Sequence, residues 1–143
     1  MPKDDKSFDE MWKYLQGHLG YSDKELEDFK NNPRNRKVLG KWNDLANKTI
    51  IFDVIESHGC NINHKVGDRF LFGATGYMLA HKCPKKICPY IMPAMVRMMS
   101  IIQERIYEGL DPLPLFSRGQ CDDVGIECGG WGRVIIEPRI VDR

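Results

Sequence analysis

Thr49-Ile50-Ile51-Phe52-Asp53-Val54-Ile55 is the stretch on which the reading of this chain turns. Six of its seven residues are β-branched or aromatic, side chains that suit a pleated, half-buried surface, so it reads as a strand. The 48 residues before it are polar and helical in pattern. The residues after it mix strands, turns and one further helix. The boundary at 48/49 therefore separates a helical N-terminal extension from a cysteine-containing domain over residues 49–143.

Upstream, Ser7-Phe8-Asp9-Glu10 has the S-x-x-E form of a capping box, and Phe8, Met11, Trp12 and Leu15 mark one apolar face ending at Gly17 and Gly20. Ser22-Asp23-Lys24-Glu25 repeats the signature and leads Leu26 and Phe29 into a second helix, stopped near Asn31-Asn32-Pro33. A third helix is expected from about Asn35 to Asn47, with Val38, Leu39, Trp42 and Leu45 at helical spacing. Three such short helices are expected to pack on the rest of the chain or on a partner.

Downstream, SHGCNINHKVGD (57–68) is a turn-rich loop, Asp68 to Phe72 a second strand, and Tyr77 to Ala80 a short third one. From Pro89 the period changes. Ile91, Met92, Met95, Met98, Met99, Ile102 and Ile106 line a helix face that Val96 and Ile101 widen, so a central Met-rich helix buried on most sides is expected. Gly109, Pro112 and Pro114 end it. Arg133 to Val141 is a last strand, with Pro138 favouring an edge. The pattern is α+β: short N-terminal helices, a small, mostly antiparallel sheet and one central helix.

Charge excludes one class of function. The net charge is +1, and Lys/Arg nearly balance Asp/Glu on both sides of residue 48, so the basic stripe needed for a phosphate backbone is missing and no nucleic-acid partner is expected. Tyr90 to Ile102 is the longest apolar run, too short and too interrupted to span a bilayer. The charged N-terminus lacks a secretory pattern, which points to the cytoplasm, where thiols stay reduced.

Chemistry concentrates in five cysteines: Cys60, Cys83, Cys88, Cys121 and Cys128. An odd number without a signal argues against a disulfide framework. Three readings compete. Thiolates bind soft and borderline metals, and all five are candidate ligands to an iron–sulfur cluster or zinc, with His58 and His81 as substitutes, although no pair has a standard knuckle spacing. Alternatively Cys88, placed by Pro89 at a helix start where the dipole favours a thiolate, is a nucleophile with His81 or His64 as its base. In the third reading the cysteines are small hydrophobes packing loops, and no metal binds. Gly129-Gly130-Trp131-Gly132 offers N–H groups to an anion, with Trp131 expected in the core. Asp122, Asp123 and Glu127 are acid–base candidates should a pocket form beside them.

The residues GCNINHKVGDRF (59–70), Ile87-Cys88-Pro89 and Cys121 or Cys128 resemble a family of small, functionally unassigned cysteine-motif proteins of anaerobic bacteria and archaea. The likeness runs from about Thr49 to Val141. It implies a shared domain and an anaerobic setting in which oxygen-sensitive thiols or iron–sulfur clusters survive. It implies no activity. The expectation is a metal-binding, oligomeric protein of anaerobic metabolism. It would act as a small enzyme or as an accessory subunit, meeting a larger enzyme subunit or its own copy through the Met-rich helix. A non-catalytic interaction module is the remaining alternative.

Overall fold

The computed structural model describes the backbone of residues 5–143 and the side chains from residue 8 onward. The chain forms two compact units, Met1–Asn43 and Asp44–Arg143. The division falls a few residues before the change in composition, because Leu45, fully buried, belongs to the core of the second unit.

The first unit holds α1 (Asp5–Leu19), α2 (Asp23–Asn31) and α3 (Pro33–Gly40). Trp12, Leu15, Leu26 and Leu39 form a core of their own, with Phe8, Met11, Tyr21 and Phe29 packed against it. These helices therefore bury part of their faces on one another, while Leu45, expected on the third helix, packs with the rest of the chain. Aromatic side chains make this possible in so small a unit: Trp12 stacks on Phe8 and meets Phe29 edge-on. Around Ser22 the capping box is complete, with Glu25 N–H donating to the Ser22 hydroxyl and Ser22 N–H to the Glu25 carboxylate. The Ser22 N–H, contributing most, and the Ser22 hydroxyl both donate to the Glu25 carboxylate and hold it below its ordinary value. Ser7 is no cap, since the backbone is already helical at Asp5, and its side chain lies outside the described residues. The third helix is interrupted at Lys41: Asn32 caps α3 and Pro33 opens it, and a separate short α4 (Trp42–Ala46) follows.

The second unit is a five-stranded antiparallel sheet with one long helix. The strands are β1 (Lys48–His58), β2 (Arg69–Gly73), β3 (Tyr77–Met78), β4 (Gly119–Gln120) and β5 (Arg133–Asp142), ordered β3-β2-β1-β5-β4. Strand β1 is central and runs longer than its apolar stretch, pairing with β5 from Lys48↔Asp142 to His58↔Arg133. Ile50, Phe52 and Val54 alternate into the core. A bulge between Val54 and Glu56 then shifts the register by one residue. Strand β4 pairs with Ile135 and Ile136 alone, so the outer side of β5 is uncovered where Pro138 sits. Sequence pattern gives no hint of β4, because two residues in a long loop carry no period.

The long helix α5 (Met92–Tyr107) places Ala94, Met95, Met98, Met99, Ile102 and Ile106 in the same core as Phe52, Phe70, Phe72, Val134 and Ile136. It is one-sided, not buried all round: Val96 is 61% exposed and Ile101 39%. The buried methionines therefore face the chain's own sheet, and a partner would meet Val96 and Ile101 instead. Gly119 lets β4 cross α5 closely, since a Cβ there would sit 3.1 Å from that of Ala94. The crossing fixes where the chain stands two residues later, at Cys121. No described helix is long and apolar enough to cross a membrane.

Candidate functional site

Three of the five cysteines come together. Cys60, Cys88 and Cys121 line one cavity of about 680 Å³, and each belongs to a different loop at the same end of the sheet. All three are half-buried and pack against the main core.

Cys60 follows β1. Its carbonyl accepts the N–H of Asn63, closing a tight turn in which Asn63 takes the left-handed conformation that asparagine tolerates. Cys88 precedes α5 but is no helix cap. Ile91 occupies the cap position, and Pro93 supplies the proline of the first turn. Pro89 instead opens a turn in which Ile91 N–H reaches the Cys88 carbonyl at 3.4 Å. Three residues from the helix cap, Cys88 lies outside the reach of the helix dipole, which is confined to the first turn. Cys121 is held at both ends by Val134 of β5: its N–H donates to the Val134 carbonyl, and its Sγ accepts the Val134 N–H at 3.3 Å.

Hydrogen bonds from backbone N–H groups and one close backbone approach tie these loops into a ring. The N–H of Cys88 donates to Nε2 of His64 (3.1 Å), joining the Cys88 turn to the loop after Cys60. Asp122 N–H donates to the Tyr90 carbonyl (3.0 Å), joining the Cys121 loop to that turn. The ring closes at Gly59, where φ is +64° and a Cβ would stand 2.4 Å from the carbonyl oxygen of Trp131.

His64 is a structural part of this ring. It is 4% exposed, with its ring edge-on to Phe70. Because Nε2 accepts from Cys88, the proton of the neutral imidazole belongs on Nδ1, which faces the Asp68 carboxylate at 3.6 Å. The lone pair that a general base needs is thus already bonded to a backbone N–H. His81 is exposed on a short 3₁₀ turn, Ala80–Lys82, and His58 ends β1 exposed; neither lines the cavity.

Cys83 and Cys128 are set apart. The Cys83 sulfur accepts the Leu71 N–H at 3.3 Å and faces the Leu79 carbonyl at 3.4 Å, which anchors the loop after β3 to β2. Cys128 is exposed at the end of the turn Ile126–Cys128 and does not line the cavity. Among the described residues, no three His, Cys, Asp or Glu side chains converge closely enough to hold a single metal ion. Cys60, Cys88 and Cys121 thus share a cavity lining without forming a single-ion site, and as soft sulfur donors they favour soft or borderline metals over hard cations.

The glycine-rich loop does cradle an anion, and the anion is its own. Asp123 accepts N–H bonds from Gly125, Trp131 and Gly132, all near 3.0 Å. The Gly125 bond is the largest cause of the lowered Asp123 pKa; burial opposes it, and Trp131 and Gly132 add to it. Gly130 is required here for space, since a Cβ would fall 2.0 Å from the Asp123 carboxylate. Asp123 is therefore a clamp and not an acid–base group, and Glu127 does not line the cavity. Trp131 is not in the core: its backbone is clamped while the residue as a whole is 71% exposed. Both features have a trace in the sequence, a carboxylate two residues before a glycine and a few before GGWG, but only the clamp turns Trp131 outward.

Comparison with protein-family models, curated proteins and solved structures finds no match to this chain.

Proposed function

We propose that Cys60, Cys88 and Cys121 hold an iron–sulfur cluster in this cavity, and that the protein serves anaerobic metabolism in the cytoplasm as a small enzyme or an accessory subunit. One observation carries the reading: three thiols from three loops, far apart in sequence, line one mostly apolar cavity. Chance packing of hydrophobic cysteines has no need to gather them. When bound, such a cluster supplies electron transfer or a Lewis-acidic iron.

The chain's own residues do the positioning. His64 and Val134 fix the Cys88 and Cys121 backbones, and the Val134 N–H on the Cys121 sulfur is the kind of hydrogen bond that tunes a metal-bound thiolate. A metal-free thiol enzyme centred on Cys88 is less well supported, because the base it requires is not at hand: His64 is engaged and His81 lies off the cavity.

The test is oxygen-free purification or reconstitution, followed by iron and sulfide analysis and an absorption spectrum. Single serine replacements at Cys60, Cys88 and Cys121 are expected to lose iron, while those at Cys83 and Cys128 keep it. A colourless, iron-free protein after reconstitution, or iron bound equally well by all five variants, would overturn the reading.

A further inference from the structure

The mouth of the cavity carries two aromatic residues that the fold leaves outside. Trp131 is 71% exposed and Tyr90 64%, and both line the cavity. The Trp131 backbone is held firmly, its N–H shared between the two Asp123 oxygens and its carbonyl pressed against Gly59. A fixed backbone that displays an open indole is the arrangement of a recognition surface, where tryptophan and tyrosine concentrate binding energy.

Charge narrows the class of ligand. Besides His64, three residues with ionisable side chains and a formal charge line the cavity: Asp122, Asp123 and Arg133. Arg133 is paired with Glu56, so its charge is already met. The Asp123 carboxylate is likewise met by the N–H groups of Gly125, Trp131 and Gly132, which leaves that of Asp122. A cation is drawn there both by this carboxylate and by the aromatic faces. The volume is that of a small-molecule site.

We propose that this mouth binds a small organic cation with apolar substituents, of the quaternary ammonium class. Trp131 and Tyr90 contact the alkylated nitrogen, and Asp122 supplies the counter-charge. The proposal rests on the cavity being the working site, and not on what the thiols hold.

The experiment is calorimetric titration of the full chain with choline and with dimethylbutanol, its uncharged carbon analogue, on metal-free and iron-reconstituted protein. Choline is expected to bind roughly tenfold or more tightly than the analogue. Trp131→Ala should weaken choline by a similar factor, Trp131→Phe by less, and Asp122→Asn several-fold. Neither side chain belongs to the core, so both positions tolerate replacement without loss of the fold, which a melting curve verifies. Equal affinity for the two probes, unchanged choline binding in Trp131→Ala, or no choline binding at all overturns the proposal. Choline binding by a chain that never takes up iron leaves it standing and removes the cluster; iron uptake without choline binding does the reverse.

Discussion

Replacing His64 with phenylalanine isolates the bond that joins the Cys60 and Cys88 loops. Phenylalanine keeps a planar ring against Phe70 but offers no acceptor to the Cys88 N–H and no donor toward Asp68. An unsatisfied buried donor costs about 1–3 kcal/mol, and the lower part of that range applies because Cys88 is only half-buried and water can reach it in part. A loss of about 1–2 kcal/mol lowers the melting temperature by about 4–8 °C in a chain of this length, at about 4 °C per kcal/mol. The assay pairs thermal melting with amide exchange at Cys88, which should accelerate on its own scale while amides of β1 and β5 stay protected. With the proposed cluster bound, iron retention should fall as well, because the Cys88 backbone is no longer held. If His64→Phe melts within a degree of the parent and the Cys88 amide remains as protected, the hydrogen bond does not hold this loop, and the contacts around the cavity do not form a ring through His64.

The same geometry makes three further outcomes testable. The lowered Asp123 pKa means that the clamp is fully formed above the ordinary value of 3.8 and is lost as pH falls through the lower folded value. The amide signals of Gly125, Trp131 and Gly132 should therefore titrate together with a midpoint below 3.8, and a midpoint above it would contradict the clamp. Gly59→Ala combines a left-handed backbone, costing a β-carbon about 1–2 kcal/mol, with a collision at the Trp131 carbonyl, so urea unfolding should show at least that loss; a neutral result refutes the close approach. Ser22→Ala should remove about 1 kcal/mol from the N-terminal unit, read as lost helical circular dichroism on mild heating, while the sheet's amides keep their protection.

Local pattern makes much of the fold legible. The β-branched run at 49–55, the capping box at Ser22 and the apolar spacing of α5 each report a short-range preference, and each element is there. The features that sequence does not reveal depend on approach between distant segments. Trp131 reads as core because large aromatics usually are; three N–H bonds to Asp123 keep it out. Cys88-Pro89 reads as a helix start because proline favours that place, but a second proline at 93 takes it. The gathering of Cys60, Cys88 and Cys121, and the exclusion of Cys83 and Cys128, come from the β1–β5 register and the β4 crossing of α5. Neither leaves a mark at the cysteines themselves.

The pairing of β1 with β5 also sets an order of events. Lys48 meets Asp142 across 94 positions of chain, so the central ladder cannot form until nearly the whole of the second unit has been synthesised. Contacts of such sequence separation are slow to form, because the entropy of closing the intervening loop is spent before they reward it. Until β5 docks, Cys121 lacks both of its bonds to Val134, and Gly59 has no Trp131 carbonyl to press against. A nascent chain therefore passes through a period in which Cys121 and the Cys60 loop are unframed and open to oxidation. Protection of those thiols until β5 is in place falls to the cell that makes this protein.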